Sequence, residues 1–257
     1  MLHTVEKEVE KEVRRCAGII LKAERGAGMA DTKEGRANLV TAYDRQVQKE
    51  LQKSLTRILP EAVFVGEEED IHASIASGYA WIVDPIDGTT NFIKDYHVSA
   101  ISVGLTRDGI PCMGLIYNPY LDEMFYAISG EGAFCNGRPI HVSSSPLEEG
   151  IVLFGTSPYY PELTDRSFAL ARQLFAQSLD IRRSGSAALD LCSIAAGRAE
   201  LYFELRLSPW DYAAGSIIVE EAGGKITRLD GSPVTYSQPC EILATNGIAE
   251  MIPRGTF

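Results

Sequence analysis

The chain has 257 residues, of which 45% are hydrophobic, and this is enough for a large core in one extended domain or two closely packed lobes. Lysine and arginine number 24 against 35 aspartates and glutamates, so the formal net charge is −11 and binding to a nucleic-acid backbone is disfavoured. No stretch approaches the roughly 18 apolar residues of a membrane span, and the charges from Glu6 onward are unlike a signal peptide. We therefore expect neither a membrane nor a nucleic-acid partner.

Five cysteines are scattered along the chain, and no two of them form a C-x-x-C pair. Their odd number and wide spacing favour reduced thiols over a disulfide framework. Together with the acidic composition, this cysteine usage predicts a cytoplasmic protein.

Two amphipathic helices are predicted in the first 60 residues. Apolar residues spaced three or four apart over 5–23 indicate the first helix. Residues 31–38, DTKEGRAN, are typical of a polar loop. Thr41 is a candidate cap for the second helix, which Pro60 ends.

A run of three glutamates follows a short apolar strand predicted at residues 62–65. Like charges at the end of a strand repel one another unless they are solvated or neutralised by a cation. Glu67 is nearest to the strand, so it is the first candidate for a ligand; an exposed acidic loop is the alternative interpretation.

The stretch WIVDPIDGTTNF, residues 81–92, organises the rest of the chain. A strand predicted at residues 80–83 leads into Asp84 and Asp87, and Pro85 keeps Asp84 out of a helical conformation. Two carboxylates and the Ile86 carbonyl suit a hard divalent cation such as Mg²⁺, and a helix that starts at Gly88 and Thr89 attracts phosphate. On its own, the stretch also fits an Asx-rich turn with Asp87 as a helix N-cap.

An antiparallel meander is predicted next, with strands at 100–106, 112–117, 124–128 and 133–140 and turns at Asp108-Gly109 and Asn136-Gly137. Strands and helices alternate beyond about residue 150, which favours an α/β arrangement there. We therefore predict two lobes, an N-terminal α+β lobe over residues 1–145 and a C-terminal α/β lobe over residues 146–257.

A second candidate site is the stretch WDYAAGSIIVEEAGG, residues 210–224. Asp211 stands at a predicted helix start, and the small residues 213–215 allow this helix end to approach a ligand or another backbone closely. An isolated aspartate in this position is more often a simple N-cap, so that alternative stays open.

Taken together, these blocks resemble the inositol monophosphatase family of Mg²⁺-dependent, lithium-sensitive phosphatases. Gly66-Glu67-Glu68, residues 81–92 and residues 210–224 occur in the expected order, and a weaker block of Lys33, Leu39-Val40-Thr41 and Asp44 also fits. The resemblance implies a mixed α+β fold, a five-layered αβαβα sandwich. It also implies a homodimer.

The resemblance further implies the roles of individual residues. Glu67, Asp84 and the Ile86 carbonyl match ligands of one Mg²⁺, and Asp84, Asp87 and Asp211 match ligands of a second; Glu67 would also help to hold a third, weaker ion. Thr89 and Glu67 match the residues that orient and deprotonate the attacking water, so these two and Asp87 are the implied catalytic residues. The implied substrate contacts are Gly88, Thr89, Gly185, Ser186, Ala187, Glu204 and Asp211, with Lys33, Asp44 and Arg206 near the site.

The substrate is expected to be a small-molecule phosphate ester, hydrolysed by metal-activated water. Glu204 can accept hydrogen bonds from polyol hydroxyls, which favours inositol monophosphate. Arg206 can instead contact a second phosphate, which keeps fructose 1,6-bisphosphate as an alternative beside histidinol phosphate. From another class, the alternative is a non-catalytic Mg²⁺-binding regulatory protein on the same fold.

Overall fold

The computed structural model describes residues 2–24, 30–32, 39–68 and 74–249. In these residues the chain forms six α-helices and 14 β-strands. The helices are α1 (Leu2–Leu21), α2 (Ala42–Ile58), α3 (Thr89–Ile93), α4 (Thr164–Phe175), α5 (Ala187–Ala195) and α6 (Pro209–Glu221). The strands are β1 (Ala30–Thr32), β2 (Leu39–Thr41), β3 (Val63–Gly66), β4 (Tyr79–Asp87), β5 (Ala100–Arg107), β6 (Ile110–Asn118), β7 (Glu123–Ile128), β8 (Ala133–Cys135), β9 (Arg138–Ile140), β10 (Ile151–Phe154), β11 (Asp180–Arg182), β12 (Leu201–Leu207), β13 (Lys225–Thr227) and β14 (Cys240–Thr245).

Two large sheets carry most of the strands. The seven-stranded sheet runs in chain order from β3 to β9, and every neighbouring pair is antiparallel except the parallel pair β3–β4. The five-stranded sheet has the order β11-β10-β12-β14-β13, with parallel pairing on both sides of β10. The short strands β1 and β2 form a separate antiparallel ladder.

Apolar clusters hold five layers together. Helices α1 and α2 cover one face of the seven-stranded sheet, where Val9, Leu51 and Trp81 are fully buried. Helices α5 and α6 lie between the two sheets, in the cluster that joins Phe125, Leu191 and Tyr202. Helix α4 covers the outer face of the five-stranded sheet. The predicted mixed α+β fold and its αβαβα layering are therefore confirmed.

The two predicted hairpin turns of the meander are confirmed as well. Asp108 and Gly109 have φ values of 53° and 79°, and Asn136 and Gly137 have values of 49° and 74°. A two-residue hairpin of type I′ needs positive φ at both positions, which Asx-Gly pairs adopt at little cost. The predicted domain boundary between residues 145 and 146 stays a prediction. Helix α6, from the predicted C-terminal lobe, packs against strands of both sheets.

Several element bounds differ from the prediction. The predicted loop at 31–38 begins within β1, since residues 30–32 pair with 39–41; residues 33–38, and with them Lys33, lie outside the described residues. Strand β11 was not predicted, because three residues are too few for a periodic pattern. Strand β4 continues to Asp87 instead of ending at Val83, which has a direct consequence for the candidate site.

Two strand glycines allow α6 to approach the seven-stranded sheet closely. A Cβ atom at Gly114 would lie 2.4 Å from the Ala214 carbonyl oxygen, and one at Gly104 would lie 3.2 Å from the Ala214 nitrogen. The first turn of α6 also accepts a 3.3 Å hydrogen bond from the Ser102 hydroxyl to the Trp210 carbonyl. These contacts place Asp211 beside the end of β4.

Candidate active site

A β-bulge at the end of β4 brings Asp84 and Asp87 to the same side of the sheet. Asp84 pairs with Ser102 and Asp87 with Ala100, so three residues of β4 span two residues of β5. In a regular strand, residues three apart point to opposite faces; one extra residue restores a common direction. Pro85 lies inside the bulge, where its missing N–H breaks no ladder bond.

Three carboxylates converge at this point. Oxygen atoms of Asp84, Asp87 and Asp211 all lie within 4.8 Å of one another, and no other such group was found in the described ranges. Burial raises the pKa of Asp84 and of Asp211 well above the usual range, and neighbouring charges raise both further. Burial also raises the pKa of Asp87, to about 6, against the hydrogen bonds that it accepts. A divalent cation would relieve this repulsion, because hard cations prefer carboxylate oxygens.

Each carboxylate is held by hydrogen bonds to one oxygen, which leaves its other oxygen for a ligand. Asp84 accepts a 2.9 Å bond from the Ile86 N–H. Asp87 accepts from the Ser186 hydroxyl and, at 3.0 Å, from the Ala188 N–H. Asp211 accepts a 2.7 Å bond from the Ser208 N–H. The donor set therefore fits an oxygen-coordinated metal such as Mg²⁺.

Neither Asp87 nor Asp211 is a helix N-cap, so the N-cap interpretation is wrong for both. The N-cap of α3 is Gly88, in the left-handed region with φ 87°, and the N-cap of α6 is Ser208. Asp211 is the third residue of α6 and closes a capping box with Ser208. A capping bond through one oxygen is thus compatible with a ligand role for the other.

Glu67 and the Ile86 carbonyl lie in the same cavity as the three aspartates. Glu67 is outside the group of three, but its charge raises the pKa values of Asp84 and Asp211, so it is close to both. The Ile86 carbonyl accepts a 3.1 Å hydrogen bond from the Thr89 hydroxyl. Their roles as metal ligands stay predictions.

The Thr89 hydroxyl also lies 3.3 Å from the Oδ1 atom of Asp44. Asp44 belongs to α2 and is fully buried, and its other oxygen accepts a 2.8 Å bond from the Thr41 N–H. Burial raises the pKa of Asp44 to about 6. A threonine hydroxyl is thus paired with a carboxylate that can accept a proton, directly beside the three-carboxylate group.

One cavity of about 350 Å³ contains almost all the residues that sequence reasoning proposed. Asp44 is behind the cavity wall, and Lys33 lies outside the described residues. The proposed residues that line the cavity are Glu67, Asp84, Ile86, Asp87, Gly88, Thr89, Gly185, Ser186, Ala187, Glu204, Arg206 and Asp211.

Two of the proposed substrate contacts, Ser186 and Glu204, also form hydrogen bonds to other residues of the protein. The Ser186 hydroxyl donates to Asp87 and accepts from the Leu189 N–H, since Ser186 is the N-cap of α5. Glu204 is 7% exposed; its two oxygens accept 2.7 Å and 2.8 Å bonds from the Ser157 N–H and the Tyr202 hydroxyl. The Ser186 side chain therefore orients Asp87, and the substrate contacts of both residues stay predictions.

Sequence reasoning missed several side chains that line the cavity, among them Tyr159, Tyr160, Arg183 and Asp190. Burial, and then the charges of Glu67 and Asp211, raise the pKa of Tyr159. The pair of tyrosines lies in the segment after β10, and residues beyond the carboxyl end of a parallel strand are frequent in binding sites. Their position after a predicted strand was the sequence signal that could have identified these tyrosines as site residues.

A model of the inositol monophosphatase family matches residues 1–254. The chain belongs to the inositol monophosphatase family. This membership confirms the resemblance and the predicted enzyme class, a phosphatase. No helix in the described part of the chain is both long and apolar enough to cross a membrane.

Relatives with assigned names cover most of the chain. An inositol-1-monophosphatase of Synechocystis is 37% identical over 242 residues, which are 93% of this chain and 84% of the relative. An inositol-1-monophosphatase of Bacillus subtilis is 32% identical over 245 residues, 94% of this chain and 92% of the relative.

Solved structures of family members share the fold. The inositol monophosphatase of Anabaena has a TM-score of 0.83 at 33% identity, with 96% of this chain and 92% of that chain covered. The extragenic suppressor protein suhB of Bartonella henselae has a TM-score of 0.81 at 34% identity, with 95% and 93% covered. A complex of SaIMPase-II with inositol monophosphate has a TM-score of 0.78 at 29% identity, with 96% and 90% covered. An IMPase/NADP phosphatase complexed with Mg²⁺ and phosphate has a TM-score of 0.83 at 26% identity, with 96% and 91% covered.

The raised carboxyl pKa values predict how stability responds to pH and Mg²⁺. Without metal, the folded protein binds more protons than the unfolded chain above about pH 4, so its melting temperature should fall as pH rises through about 6 and beyond. Bound Mg²⁺ should offset this loss. Melts in EDTA and in MgCl₂ from about pH 5 to about pH 8 should show a metal-induced increase that grows with pH.

The control for this measurement is Asp87→Asn, which removes one of the three charges. Its metal-induced increase should be smaller and should depend less on pH. An increase of the same size at every pH in the unmodified protein would mean that Mg²⁺ binds elsewhere.

Proposed function

We propose that the protein is a Mg²⁺-dependent phosphomonoesterase whose substrate is a polyol or sugar phosphate, in the first place inositol monophosphate. The observation that carries this proposal is the group of Asp84, Asp87 and Asp211 beside the paired Thr89 and Asp44 in one cavity. The complexes of related proteins with inositol monophosphate and with Mg²⁺ and phosphate support it.

Two or three Mg²⁺ ions would be held by this cavity. Glu67, Asp84 and the Ile86 carbonyl would hold the first, and Asp84, Asp87 and Asp211 the second, with Glu67 also shared by a third. When bound, Mg²⁺ neutralises phosphoryl oxygens and lowers the pKa of a coordinated water. The carboxylates in turn are kept anionic by the metal, against the burial that raises their pKa values.

The start of α3 would bind the phosphate. Thr89 and Thr90 are in the first helical turn, where backbone N–H groups have no partner within the helix. Gly88 is required before them because its φ is 87° and because a Cβ atom there would lie 2.9 Å from the Val98 carbonyl oxygen. These N–H groups lie next to the three carboxylates and would orient the phosphorus for attack.

The pair of Thr89 and Asp44 would orient the attacking water and accept its proton. Because the Thr89 hydroxyl donates toward Asp44 or the Ile86 carbonyl, its lone pairs are left to accept a hydrogen bond from water. With a pKa of about 6, Asp44 is mostly ionised at neutral pH and can take the proton that Thr89 passes on. Glu67, which lines the same cavity, would assist.

The alcohol part of the substrate would lie against Gly185, Ser186, Ala187 and Glu204. These residues form the wall between α5 and β12. Glu204 keeps lone pairs beyond its three internal bonds, so polyol hydroxyls can still donate to it. This favours inositol monophosphate; fructose 1,6-bisphosphate and histidinol phosphate are the alternatives within the family.

The test is phosphate release from inositol monophosphate with MgCl₂ and with EDTA. We expect turnover only with Mg²⁺, and inhibition by LiCl in the millimolar range beyond that of a KCl control, as the family resemblance implies. A protein that binds Mg²⁺ but releases phosphate from none of the esters above would favour the other class, a non-catalytic regulatory protein. A structural relative is named as an extragenic suppressor protein, and this name is the reason to test the non-catalytic alternative.

A cytoplasmic location and a homodimer are also part of this proposal. Both rest on the family resemblance and on composition. Gel filtration with light scattering would measure the oligomeric state directly.

A further inference from the structure

A second cavity, of about 260 Å³, lies between the start of α1 and the hairpin of β7 and β8. Its wall consists of side chains from the first two turns of α1, from both strands and from the turn that joins them. None of these residues lines the candidate active site, so the two cavities are separate. Apolar walls with a few polar groups are the usual form of a small-molecule site.

The carboxylate of Glu6 is buried in this wall without a partner. Glu6 is 4% exposed, and its carboxylate forms no hydrogen bond and no ion pair with any residue that the structure describes. Its oxygens are not sealed from the cavity, since the completely enclosed unpaired side-chain atoms of the described residues belong to Trp81, Ser167 and Arg228. A buried charge without a partner is costly, so this carboxylate needs a hydrogen-bond donor from outside the chain.

The two acidic residues nearest to Glu6 do have partners. Glu10 accepts a 2.8 Å hydrogen bond from the guanidinium of Arg14. Glu131, in the turn between β7 and β8, lies 2.7 Å from the imidazole of His3. Burial and then the charge of Glu10 raise the pKa of Glu6 above its usual range. Of these three carboxylates, Glu6 is thus the one without an ion pair in the described part of the chain.

Lys7 does not compensate the charge of Glu6. It is the next residue of α1 and is exposed, whereas Glu6 is buried. Its charge lowers the pKa of Glu6, but burial raises that pKa by more. A cation inside the cavity would reach the carboxylate from its open side, where a charge-assisted hydrogen bond is about twice as strong as a neutral one.

Two stacked aromatic rings form the apolar part of the wall. Tyr126 and Phe134 are directly opposite each other in the ladder of β7 and β8, with ring centroids 5.1 Å apart and an angle of 15° between the ring planes. Both side chains are partly buried and line the cavity. The charge of Glu6 is, after burial, the largest cause of the raised pKa of Tyr126, so the ring and the carboxylate are close. Aromatic rings attract organic cations and pack against apolar groups.

The turn between β7 and β8 is fixed by α6. The N–H groups of Gly130 and Gly132 donate bonds of 2.7 Å and 2.8 Å to the two carboxylate oxygens of Glu221. Glu131 lies between these glycines, so its position opposite His3 is fixed as well. The cavity is therefore formed before any ligand arrives, which lowers the cost of ordering its wall on binding.

We propose that this second cavity binds a small organic cation, a primary amine with an aromatic or aliphatic body. Its ammonium group would donate to Glu6, and its body would pack against Tyr126 and Phe134. Among the described residues Glu6 belongs to no group of three converging metal ligands, which favours an organic cation over a metal ion. The inference is independent of the proposed phosphatase function, because the two cavities share no residue.

The test uses three probes of matched shape: the cation 2-phenylethylammonium, the neutral 2-phenylethanol and the anion 3-phenylpropionate. Binding is measured by calorimetry in excess MgCl₂, so that the acidic active site does not compete for the amine. We expect the ammonium to bind about 10-fold or more tightly than the alcohol, and the anion to bind more weakly than either. The backbone amide resonances of Gly130 and Gly132 should shift on binding, and that of Gly88 in the active site should not.

Substitutions separate the charge of Glu6 from the aromatic wall. Glu6→Gln keeps the shape of the side chain and should abolish the preference for the ammonium over the alcohol. Its melting temperature should not fall, because the variant removes a buried charge that has no partner. Glu8→Gln, the same change on the exposed face of α1, is the control and should keep the preference. Phe134→Leu should weaken the binding of the ammonium about two- to fivefold.

Four results would overturn the inference. The first is equal binding of all three probes to the unmodified protein, and the second is no binding of the ammonium up to about 10 mM. The third is an ammonium preference that persists in Glu6→Gln, since the cation would then bind elsewhere. The last is a set of resonance shifts that includes Gly88 but neither Gly130 nor Gly132.

Discussion

Asp87→Asn should reduce phosphate release by about 10²-fold or more while the fold is retained and the melting temperature of the metal-free protein is not lowered. The asparagine carbonyl oxygen can still accept from the Ser186 hydroxyl and the Ala188 N–H, which hold one oxygen of Asp87 in place. Its NH₂ group then occupies the position of the other carboxylate oxygen. The group of three carboxylates is thereby left with an N–H donor where a cation needs an acceptor.

The measurement is steady-state turnover at saturating Mg²⁺ beside circular dichroism and a thermal melt in EDTA. Asp190→Asn is the matched control, since Asp190 is a buried aspartate of the same cavity but lies outside the group of three. We expect it to lose less than about tenfold. Near-normal turnover of Asp87→Asn would remove Asp87 from the metal site.

Thr89→Val should lower kcat by about 10²–10⁴-fold with little change in KM. The valine keeps the branched shape but has no hydroxyl to bridge water and Asp44. Carboxylates and backbone N–H groups remain, so the binding of metal and phosphate should persist. An interaction made mainly in the transition state has this signature in the kinetic constants.

The structure makes the structural alternative for Thr89 easy to measure. Gly88, not Thr89, is the N-cap of α3, so removal of the hydroxyl costs no capping bond. Thr90→Val, the same change at the next, exposed position, is the control and should be nearly silent. A lowered melting temperature of Thr89→Val with a normal kcat would show that the hydroxyl serves packing and not catalysis.

The sequence predicts the chemistry of this site better than its geometry. Residue types and spacing indicated Asp84 and Asp87, because hard cations prefer carboxylate oxygens, and the family resemblance added Asp211. They did not reveal how two aspartates three residues apart share one direction. The β-bulge that gives Asp84 and Asp87 a common direction exists only because of the register in which β4 pairs with β5. Neither strand sequence alone specifies that register.

Long-range contacts explain the other differences. Ser186 matched a substrate contact, yet its hydroxyl bonds to Asp87, almost 100 positions earlier in the chain. The pairing of Thr89 with Asp44 likewise joins the start of α3 to α2. Local patterns place helices and hairpin turns well, because these depend on neighbouring residues; they carry no information about which carboxyl a hydroxyl will meet after the layers pack.

The close approach of α6 to the sheet has a consequence for how the protein tolerates mutation. Gly114 contacts no ligand, yet any side chain there would meet the Ala214 carbonyl and shift the helix that carries Asp211. Phosphatase activity therefore constrains a glycine in the middle of a strand as tightly as it constrains an acidic ligand. Sensitivity to mutation at such a position comes from packing and not from contact with a ligand. An active site defined only by mutational sensitivity would therefore include residues that contact no ligand.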